Sequence, residues 1–362
     1  MDTLEQAKKI LREYDGRKCR IMEVCGTHTH EIFRLGIRQL LSEKIQLISG
    51  PGCPVCVTPV SFIDEAIWLA EEQQCTICTF GDLVRVPGSR SSLQLSRGRG
   101  SDIRVVYSPL DAVNLAAEHP EKQVVFLSVG FETTTPSSCL AVQQAKAQGL
   151  RNFSLLTANK TMPGAIEAMA GSTDLFLYPG HVLAITGTAY YEDLAHRGIS
   201  GVCAGFTGRE LLTALAIAVT EFAKLPDTED NVSGVQRPGF FRNCYPRVVT
   251  EKGSPNAQEM VAEMLAPVDA EWRGIGVIPG SGLRLRDNLS DFDARKKYGI
   301  LRLESRYRTA CRCGEVLTGK IRSEECPLFG KACTPEHPVG ACMVSSEGAC
   351  AAWYSYAIGG KI

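Results

Sequence analysis

The chain has 362 residues, of which 44% are hydrophobic and 22% are charged, so it is long enough for two or three domains with hydrophobic cores. Its 39 Lys and Arg residues balance 40 Asp and Glu residues, which excludes the strongly basic character of a protein that binds nucleic acid or anionic membranes. No stretch approaches the roughly 18 apolar residues of a membrane span, and the charged N-terminal segment lacks the apolar core of a signal peptide. We therefore expect a cytoplasmic protein with neither nucleic acid nor membrane as a partner.

The N-terminal part of the chain contains an amphipathic helix candidate at residues 1–18 and then the stretch VCGTHTHEIF, which begins at residue 24. Cys25 follows a short apolar run and precedes a second helix candidate, with His28 and His30 close by. A Cys–His pair for acyl transfer is conceivable, but single histidines more often pack or form hydrogen bonds. A soft thiolate in a polar pocket can hold a soft metal, so Cys25 is the stronger candidate.

A Cys-x-x-Cys element, Cys53 to Cys56, follows the strand-like run at residues 45–49. Cys56 lies two residues before Thr58, which we expect to be the N-cap of the next helix. A helix N-terminus stabilises a nearby thiolate, so the pair is a candidate dithiol/disulfide switch. The alternative is a pair of buried, inert thiols. A second such pair, Cys75 and Cys78, lies within a probable strand, where its side chains point to opposite faces and belong to the core.

The middle of the chain alternates apolar runs typical of buried strands with helix-like segments. The strand-like runs are residues 45–49, 76–80, 104–107, 123–129, 153–158, 174–178 and 201–204. Helix start signals stand at Thr58-Pro59, Thr135-Pro136, Pro163 and Thr207-Gly208. This alternation predicts an α/β fold made of two parallel-sheet units.

Glycine-rich loops follow several of these strand-like runs, as in GDLVRVPG, GFETT and PGHV. Ligands of open parallel sheets bind beyond the carboxyl ends of the strands, so Asp82, Glu132 and His181 are candidate site residues. The alternative is that Gly and Pro only form tight turns there and that the three side chains hold those loops in place.

The expected domain boundaries follow changes in composition. The first α/β domain, with the CGTHTH and CPVC motifs, is placed at residues 1–118, and the second at residues 119–245, where the polar segment 225–243 ends it. Residues 246–362 are assigned to a linker and a loop-rich C-terminal domain.

Six of the fifteen cysteines lie between residues 311 and 350, at positions 311, 313, 326, 333, 342 and 350. An odd total cannot form a complete set of disulfides, and clustered cysteines in a reducing compartment usually bind metals or carry out redox chemistry. The wide spacings do not match a pair of zinc knuckles, so an iron–sulfur cluster is favoured over zinc or a structural role.

The motifs VCGTHTH, GPGCPVCVTP, TFGDLVRVPG, GFETT, PGHV, GVCAGF and the C-terminal CPLFGKACTPEHPVGACMVSSEGACAA occur in this order between about residues 20 and 356. In this combination the chain resembles the HypD family of hydrogenase maturation factors. The resemblance implies two related α/β domains plus a cluster domain. It also implies a scaffold that, with the partner HypC, assembles the Fe(CN)2CO group of nickel–iron hydrogenases. Cyanide would come from HypE as a thiocyanate, after HypF activates carbamoyl phosphate.

Carried over by motif, Cys25 would bind the iron together with an N-terminal cysteine of HypC, and Cys53 and Cys56 would form the redox dithiol. From their positions on the loops after strands, Asp82, Glu132 and His181 are expected to hydrogen-bond the cyanide nitrogens or carry protons. His28 is a candidate proton carrier beside Cys25. The resemblance implies a 4Fe-4S cluster in the C-terminal domain. The favoured ligands are Cys311, Cys326, Cys333 and Cys350, with Cys313 an alternative to Cys311.

One departure and two alternatives accompany the resemblance. Thr207 follows GVCAGF, where we expect an acidic residue, which leaves any role of that position in doubt. A stand-alone thiol-disulfide oxidoreductase with a structural zinc domain would use Cys53 and Cys56 without needing Cys25. A pure scaffold would need neither of these two cysteines.

Overall fold

The computed structural model describes residues 3–226, 239–300 and 310–358. It contains two parallel β-sheets with helices around them, an antiparallel hairpin and a C-terminal segment of short helices and turns. The predicted α/β class with two parallel sheets is confirmed. Most of the expected boundary segment 225–243 lies outside the described residues. Within the described ranges, no helix is both long and apolar enough to cross a membrane.

Two sets of strands form the parallel sheets. Sheet 1 has the order β2-β1-β7-β8-β9 and sheet 2 the order β4-β3-β5-β6, and all neighbouring strands in both run parallel. The strands are β1 Cys19–Glu23, β2 Ile45–Ser49, β3 Thr76–Thr79, β4 Ile103–Val105, β5 Val124–Ser128, β6 Phe153–Thr157, β7 Leu175–Pro179, β8 Ser200–Ala204, β9 Phe241–Asn243, β10 Leu265–Trp272 and β11 Gly276–Leu285.

Strand pairing does not follow the expected division at residue 118. The chain leaves sheet 1 after β2, builds all of sheet 2, and returns to sheet 1 as β7, where Leu175 pairs with Ile21 of β1. Sheet 2 is therefore inserted between the two parts of sheet 1. Alternation of strands and helices predicts parallel pairing but does not say which strands become neighbours.

The helices begin where the sequence predicts them, at Pro residues and capping residues. Thr207 caps α11 reciprocally with Glu210, and α4, α7, α8 and α11 start within two residues of their predicted signals. The α-helices are α1 Thr3–Glu13, α2 Gly26–Arg34, α3 Pro54–Val57, α4 Val60–Glu71, α5 Leu93–Gly98, α6 Pro109–Glu118, α7 Thr135–Ala147, α8 Met162–Met169, α9 Gly180–Thr186, α10 Ala189–His196, α11 Gly208–Lys224, α12 Pro255–Met264, α13 Ala294–Lys297, α14 Cys313–Leu317 and α15 Ala349–Trp353. Single turns of 3-10 helix lie at Ile37–Leu40, Gly81–Arg85, Ala170–Ser172, Asp287–Phe292, Ser323–Glu325 and Ala341–Met343, and a π-helical turn at Tyr354–Ile358.

Each sheet is buried on both faces. Apolar residues of α1 and α11 cover one face of sheet 1, and the other face shares a core with the C-terminal cysteines. Cys75 and Cys78 are both buried and belong to the cores on opposite sides of sheet 2. Their assignment to the core is confirmed.

The antiparallel hairpin of β10 and β11 lies in the region that the sequence assigned to a linker. Its strands alternate exposed and buried residues and contain a bulge between Val268 and Ala270. Trp272 at the end of β10 is fully buried, and its ring stacks on Phe131, which follows β5. The hairpin therefore joins the core beside sheet 2.

Candidate functional site

Four loops meet at the carboxyl edge of sheet 1. They follow β1, β2, β7 and β8, and they carry Cys25, the Cys53–Cys56 element, His181 and Phe206 respectively. In a parallel sheet these strand ends share one edge, which is where ligands of such folds bind. The sequence prediction that the unusual residues collect beyond strand ends therefore holds for sheet 1.

Cys25 is the N-cap of α2 and is almost completely buried, with 8% of the residue exposed. Its carbonyl oxygen accepts a hydrogen bond from the Thr29 N–H at 3.1 Å. Burial raises the pKa of the Cys25 thiol to about 11, although the His28 and Thr27 N–H groups stabilise the thiolate. The thiol is therefore protonated at neutral pH, and metal binding there would release a proton.

The loops around Cys25 touch through their backbones at two glycines. The Gly26 N–H donates to the Gly52 carbonyl at 3.0 Å. A Cβ atom on Gly52 would lie 2.1 Å from the Cys25 nitrogen, and one on Gly26 would lie 2.7 Å from the Cβ of Glu347. Only glycine allows these approaches.

Glu347, in the C-terminal segment, is a site residue that sequence reasoning missed. The Thr27 hydroxyl donates to its Oε1 at 2.6 Å, and its charge helps to raise the pKa values of Cys25 and Cys53. Its neighbours also anchor the segment to α2, because Ser346 accepts a hydrogen bond from the His30 ring at 3.2 Å. No pattern in the sequence around Glu347 indicated this long-range contact.

Two histidine rings lie on opposite sides of Phe206. His28 is buried, its Nε2–H donates to the Gly205 carbonyl at 3.0 Å, and its ring centroid lies 4.7 Å from that of Phe206. Burial lowers the pKa of His28 to about 4, so the ring is neutral at pH 7. The His181 ring is exposed and stacks on Phe206 at 3.7 Å. Of these two histidines, His181 is the one that solvent or a partner can reach.

The Cys53–Cys56 element forms the short helix α3 ahead of α4. Cys53 is the N-cap of α3, and its sulfur accepts a hydrogen bond from the Cys56 N–H at 3.3 Å. The predicted N-cap at Thr58 is wrong, because Pro59 is the N-cap of α4 and Thr58 is the C-cap of α3. Burial disfavours both thiolates, but the neighbouring thiols of Cys342 and Cys53 outweigh it at Cys56 and lower its pKa to about 6. The pKa of Cys53 is raised by burial and by Cys56. One thiolate beside one thiol is the reactive state of a dithiol switch.

All six C-terminal cysteines line one pocket, together with the side chains of Val316, Leu328, Phe329 and Met343. The Val339 N–H donates to the Cys333 sulfur at 3.3 Å. A Cβ on Gly340 would lie 2.4 Å from the Cys311 sulfur. Clustered thiols, a backbone donor to sulfur and an apolar lining are the surroundings that an iron–sulfur cluster requires.

The ligand assignment itself stays a prediction. All fifteen cysteines are free thiols, and in the described part of the chain no three His, Cys, Asp or Glu side chains are arranged around one metal ion. Cys313 contacts both Cys311 and Cys342, which sets it toward the Cys53–Cys56 pair. A row of neighbouring thiols therefore runs from Cys53 through Cys56, Cys342 and Cys313 to Cys311.

Asp82 and Glu132 lie on sheet 2 instead. Asp82 is in the 3-10 turn after β3, and Glu132 follows β5, where its Oε1 accepts a hydrogen bond from the Met162 N–H at 2.8 Å. Burial raises the pKa of Glu132 to about 7. Among the described residues, no hydrogen bond or ion pair joins either carboxylate to Cys25. Both carboxylates therefore follow strands of sheet 2 rather than strands of sheet 1.

Comparisons with known proteins agree on one family. A family model named HypD, described as the hydrogenase formation hypA family, matches residues 2–357. A hydrogenase maturation factor HypD of Escherichia coli is 43% identical over 348 residues, which are 94% of this chain and 90% of the relative. The HypD of Rhodobacter capsulatus is 43% identical over 93% of this chain and 89% of its own length. That of Cupriavidus necator is 41% identical over 94% and 90%.

Proposed function

Because the chain belongs to the HypD family of hydrogenase maturation factors, we propose that it assembles, together with a HypC partner, the Fe(CN)2CO group of a nickel–iron hydrogenase. The observation that carries this proposal is the placement of Cys25 beside the Cys53–Cys56 pair, at one edge of sheet 1. A stand-alone oxidoreductase would have no use for a third buried thiol whose loop is in backbone contact with the loop of its dithiol.

In this proposal Cys25 holds the iron, which is cargo rather than a resident cofactor, and the N-terminal cysteine of HypC supplies a second thiolate. Soft thiolates suit an iron(II) ion that carries cyanide and carbon monoxide. The Cys25 proton must leave when iron binds, and Glu347, joined to the same turn through Thr27, is a nearby carboxylate that can accept it. His181 faces solvent at the same edge and is the candidate donor of a hydrogen bond to a cyanide nitrogen.

The Cys53–Cys56 pair supplies electrons for cyanide transfer. Release of cyanide from a HypE thiocyanate follows R–S–CN + 2 e⁻ + H⁺ → R–SH + CN⁻. Oxidation of one thiol and one thiolate of the pair to a disulfide provides these two electrons and releases one proton, which is used in this step. At neutral pH the lowered pKa of Cys56 makes it the thiolate of the pair. HypF enters only indirectly, because it activates the carbamoyl group from which HypE makes the thiocyanate.

The C-terminal pocket suits a 4Fe-4S cluster, with Cys311, Cys326, Cys333 and Cys350 as the proposed ligands. Such a cluster, when bound, supplies single electrons. Cys313 and Cys342 are lining residues of this pocket, and Cys342 neighbours both Cys313 and Cys56, so we propose that their thiols pass reducing equivalents to the pair. The Val339 N–H bond to Cys333 and the apolar lining hold the ligand sulfurs away from water.

We assign Asp82 and Glu132 a structural rather than a chemical role. Glu132 holds the loop after β5 through the hydrogen bond from the Met162 N–H, and Asp82 lies in the 3-10 turn after β3. His28, a neutral and buried ring, orients the Gly205–Phe206 loop rather than carrying protons.

The test is infrared spectroscopy in the CN and CO stretching region after anaerobic purification with HypC from cells that make all the maturation proteins. We expect these bands in the wild-type complex and in Cys244→Ser, a half-buried cysteine of β9's flank, but not in Cys25→Ser. Bands that persist in Cys25→Ser would contradict iron binding there. Bands that persist in the Cys53→Ala/Cys56→Ala double variant would show that the pair is not needed, as expected for a pure scaffold.

A further inference from the structure

Glu23 is a fully buried carboxylate at the end of β1, two residues before Cys25. Its two oxygens accept hydrogen bonds from three other parts of the chain. Oε1 accepts from Arg38 at 2.5 Å, and Oε2 accepts from Thr29 at 2.7 Å and from Ser49 at 3.2 Å. A carboxylate can be buried in this way only when it is paired and hydrogen-bonded.

The partners of Glu23 belong to the two loops that carry the reactive thiols. Thr29 lies in the first turns of α2, whose N-cap is Cys25. Ser49 is the last residue of β2, and the loop to Cys53 follows it directly. One carboxylate oxygen thus bonds to the Cys25 side and to the Cys53 side at the same time.

Arg38 reinforces the same junction. Its Nη1 donates to the Leu47 carbonyl at 2.6 Å, its Nη2 also reaches the Ser49 hydroxyl at 3.2 Å, and its guanidinium lies 4.5 Å above the Phe33 ring. The Arg38 side chain is 20% exposed and that of Glu23 is 0% exposed. The ion pair is therefore shielded from solvent on the Glu23 side and spans β2 and α2.

Backbone hydrogen bonds extend the contact toward the cysteines. The Gly50 N–H donates to the Glu23 carbonyl at 2.9 Å, and the Gly26 N–H donates to the Gly52 carbonyl at 3.0 Å. Side-chain and backbone bonds together hold the two loops at one separation. Movement of either loop would have to break bonds to the buried charge.

We infer that Glu23 is a positioning residue, which sets the separation of the Cys25 thiol from the Cys53–Cys56 pair and so the rate at which iron on Cys25 receives its cyanide ligands. The inference rests on the proposed function. Glu23 touches no reacting atom itself. Its effect passes through Thr29 to the Cys25 loop and through Ser49 to the Cys53 loop.

A second buried ion pair in the same chain provides the control. Glu65 of α4 pairs with Arg295 at 2.7 Å, and its side chain is 4% exposed. This pair lies beside sheet 2, where Arg295 also donates to the Thr157 carbonyl. Glu65→Gln therefore costs stability by the same mechanism, without touching the loops of Cys25 or Cys53.

The first measurement is amide hydrogen exchange over residues 24–28 and 50–53 in the full-length protein. Thr29→Val and Ser49→Ala each remove one hydroxyl bond to Glu23, and they avoid the unpaired charge that could prevent Glu23→Gln from folding. We expect exchange in both segments to accelerate about tenfold, as for the loss of roughly one hydrogen bond. Thr29→Ser, which keeps the hydroxyl, and Glu65→Gln should exchange at the wild-type rate there. Unchanged exchange in both hydroxyl variants would overturn the inference.

The second measurement separates positioning from stability. We expect the CN and CO bands to form about tenfold more slowly in Thr29→Val and Ser49→Ala, and at the normal rate in Thr29→Ser and Glu65→Gln. Equal slowing in Glu65→Gln would assign the effect to stability and overturn the inference, as would normal rates in both hydroxyl variants. If the wild-type protein forms no bands, the proposed function fails. The inference is then decided by the midpoint potential of the Cys53–Cys56 pair, which must shift in Ser49→Ala but not in Glu65→Gln.

Discussion

Cys56 and Cys342 lie side by side in the core, although they come from opposite ends of the chain. The Cys56 thiol points to the Ala341 carbonyl, with a sulfur–oxygen distance of 3.9 Å, and the Cys342 thiol is the largest favourable influence on the Cys56 thiolate. The C-terminal segment therefore takes part in the chemistry of a motif that it follows by most of the sequence.

Replacement of Cys342 by Ala should raise the pKa of Cys56 from about 6 toward the ordinary thiol value of 9.0, because the thiolate loses its main hydrogen-bond donor while it stays buried. If the pKa reaches 9.0, the thiolate fraction at pH 7 should fall from about 0.9 to about 0.01. The measurement is the pH dependence of iodoacetamide labelling of Cys56, followed by mass spectrometry. Cys78→Ala, a buried thiol of sheet 2, is the matched control. If the pH midpoint of Cys56 labelling is unchanged in Cys342→Ala, Cys342 does not stabilise the Cys56 thiolate.

The two candidates for the first cluster ligand can be distinguished by substitution. Cys311→Ala should lose the visible absorption and the iron of the purified protein, because its sulfur lies against Gly340 in the pocket. Cys313→Ala should retain both but slow reduction of the Cys53–Cys56 pair, since Cys313 contacts Cys342. Iron analysis and absorption of anaerobically purified variants measure the first effect, and thiol trapping measures the second. A colourless wild-type protein that contains zinc would favour the oxidoreductase alternative.

Much of the fold could be predicted from the sequence, because buried parallel strands are continuous apolar runs and the helices carry local start signals. The strand β1 was missed because its apolar run is short. The hairpin of β10 and β11 was missed because its apolar residues alternate with polar ones. The insertion of sheet 2 between β2 and β7 could not be predicted, because pairing depends on packing between distant segments.

The residues of the site also divide into those that the sequence identified and those that it did not. Cys25, Cys53 and Cys56 were found from residue type, and the family resemblance placed them in one site. Glu23 and Glu347 were not found, because a carboxylate in a strand or a loop has no local pattern that distinguishes it. Their roles come from contacts across the chain, with Arg38, Thr29 and Ser49 in one case and with Thr27 in the other.

The buried carboxyl of Glu132 predicts a pH dependence of stability. Its pKa is about 7 in the folded protein, against an ordinary value of 4.5, and burial is the cause. The folded state therefore binds the proton more tightly, and stability falls as pH rises between these values. Glu132→Gln should unfold at higher urea concentration than the wild type at pH 8, by about 3 kcal/mol in free energy, with little difference near pH 4.5.

Urea titrations of both proteins at the two pH values measure this effect. Glu65→Gln is a control for which we expect a change of the opposite sign. It leaves Arg295 without its carboxylate, so it should be less stable than the wild type at pH 8. Equal stability of Glu132→Gln and the wild type at pH 8 would show that water reaches the carboxyl group.

Two glycines with opposite surroundings test the contact between the Cys25 and Cys53 loops. A Cβ on Gly52 would lie 2.1 Å from the Cys25 nitrogen, whereas a Cβ on Gly98 in α5 would have no atom within 4 Å. Gly52→Ala should therefore separate the loops and cost about 2–3 kcal/mol of unfolding free energy. Gly98→Ala should be neutral or stabilising by up to about 1 kcal/mol, because Ala favours a helix. Thermal unfolding measures both. Because the clash is with the backbone at Cys25, Gly52→Ala should also lose the iron-bound CN and CO bands, whereas Gly98→Ala should keep them. A stable Gly52→Ala protein with normal bands would contradict the close approach of the two loops.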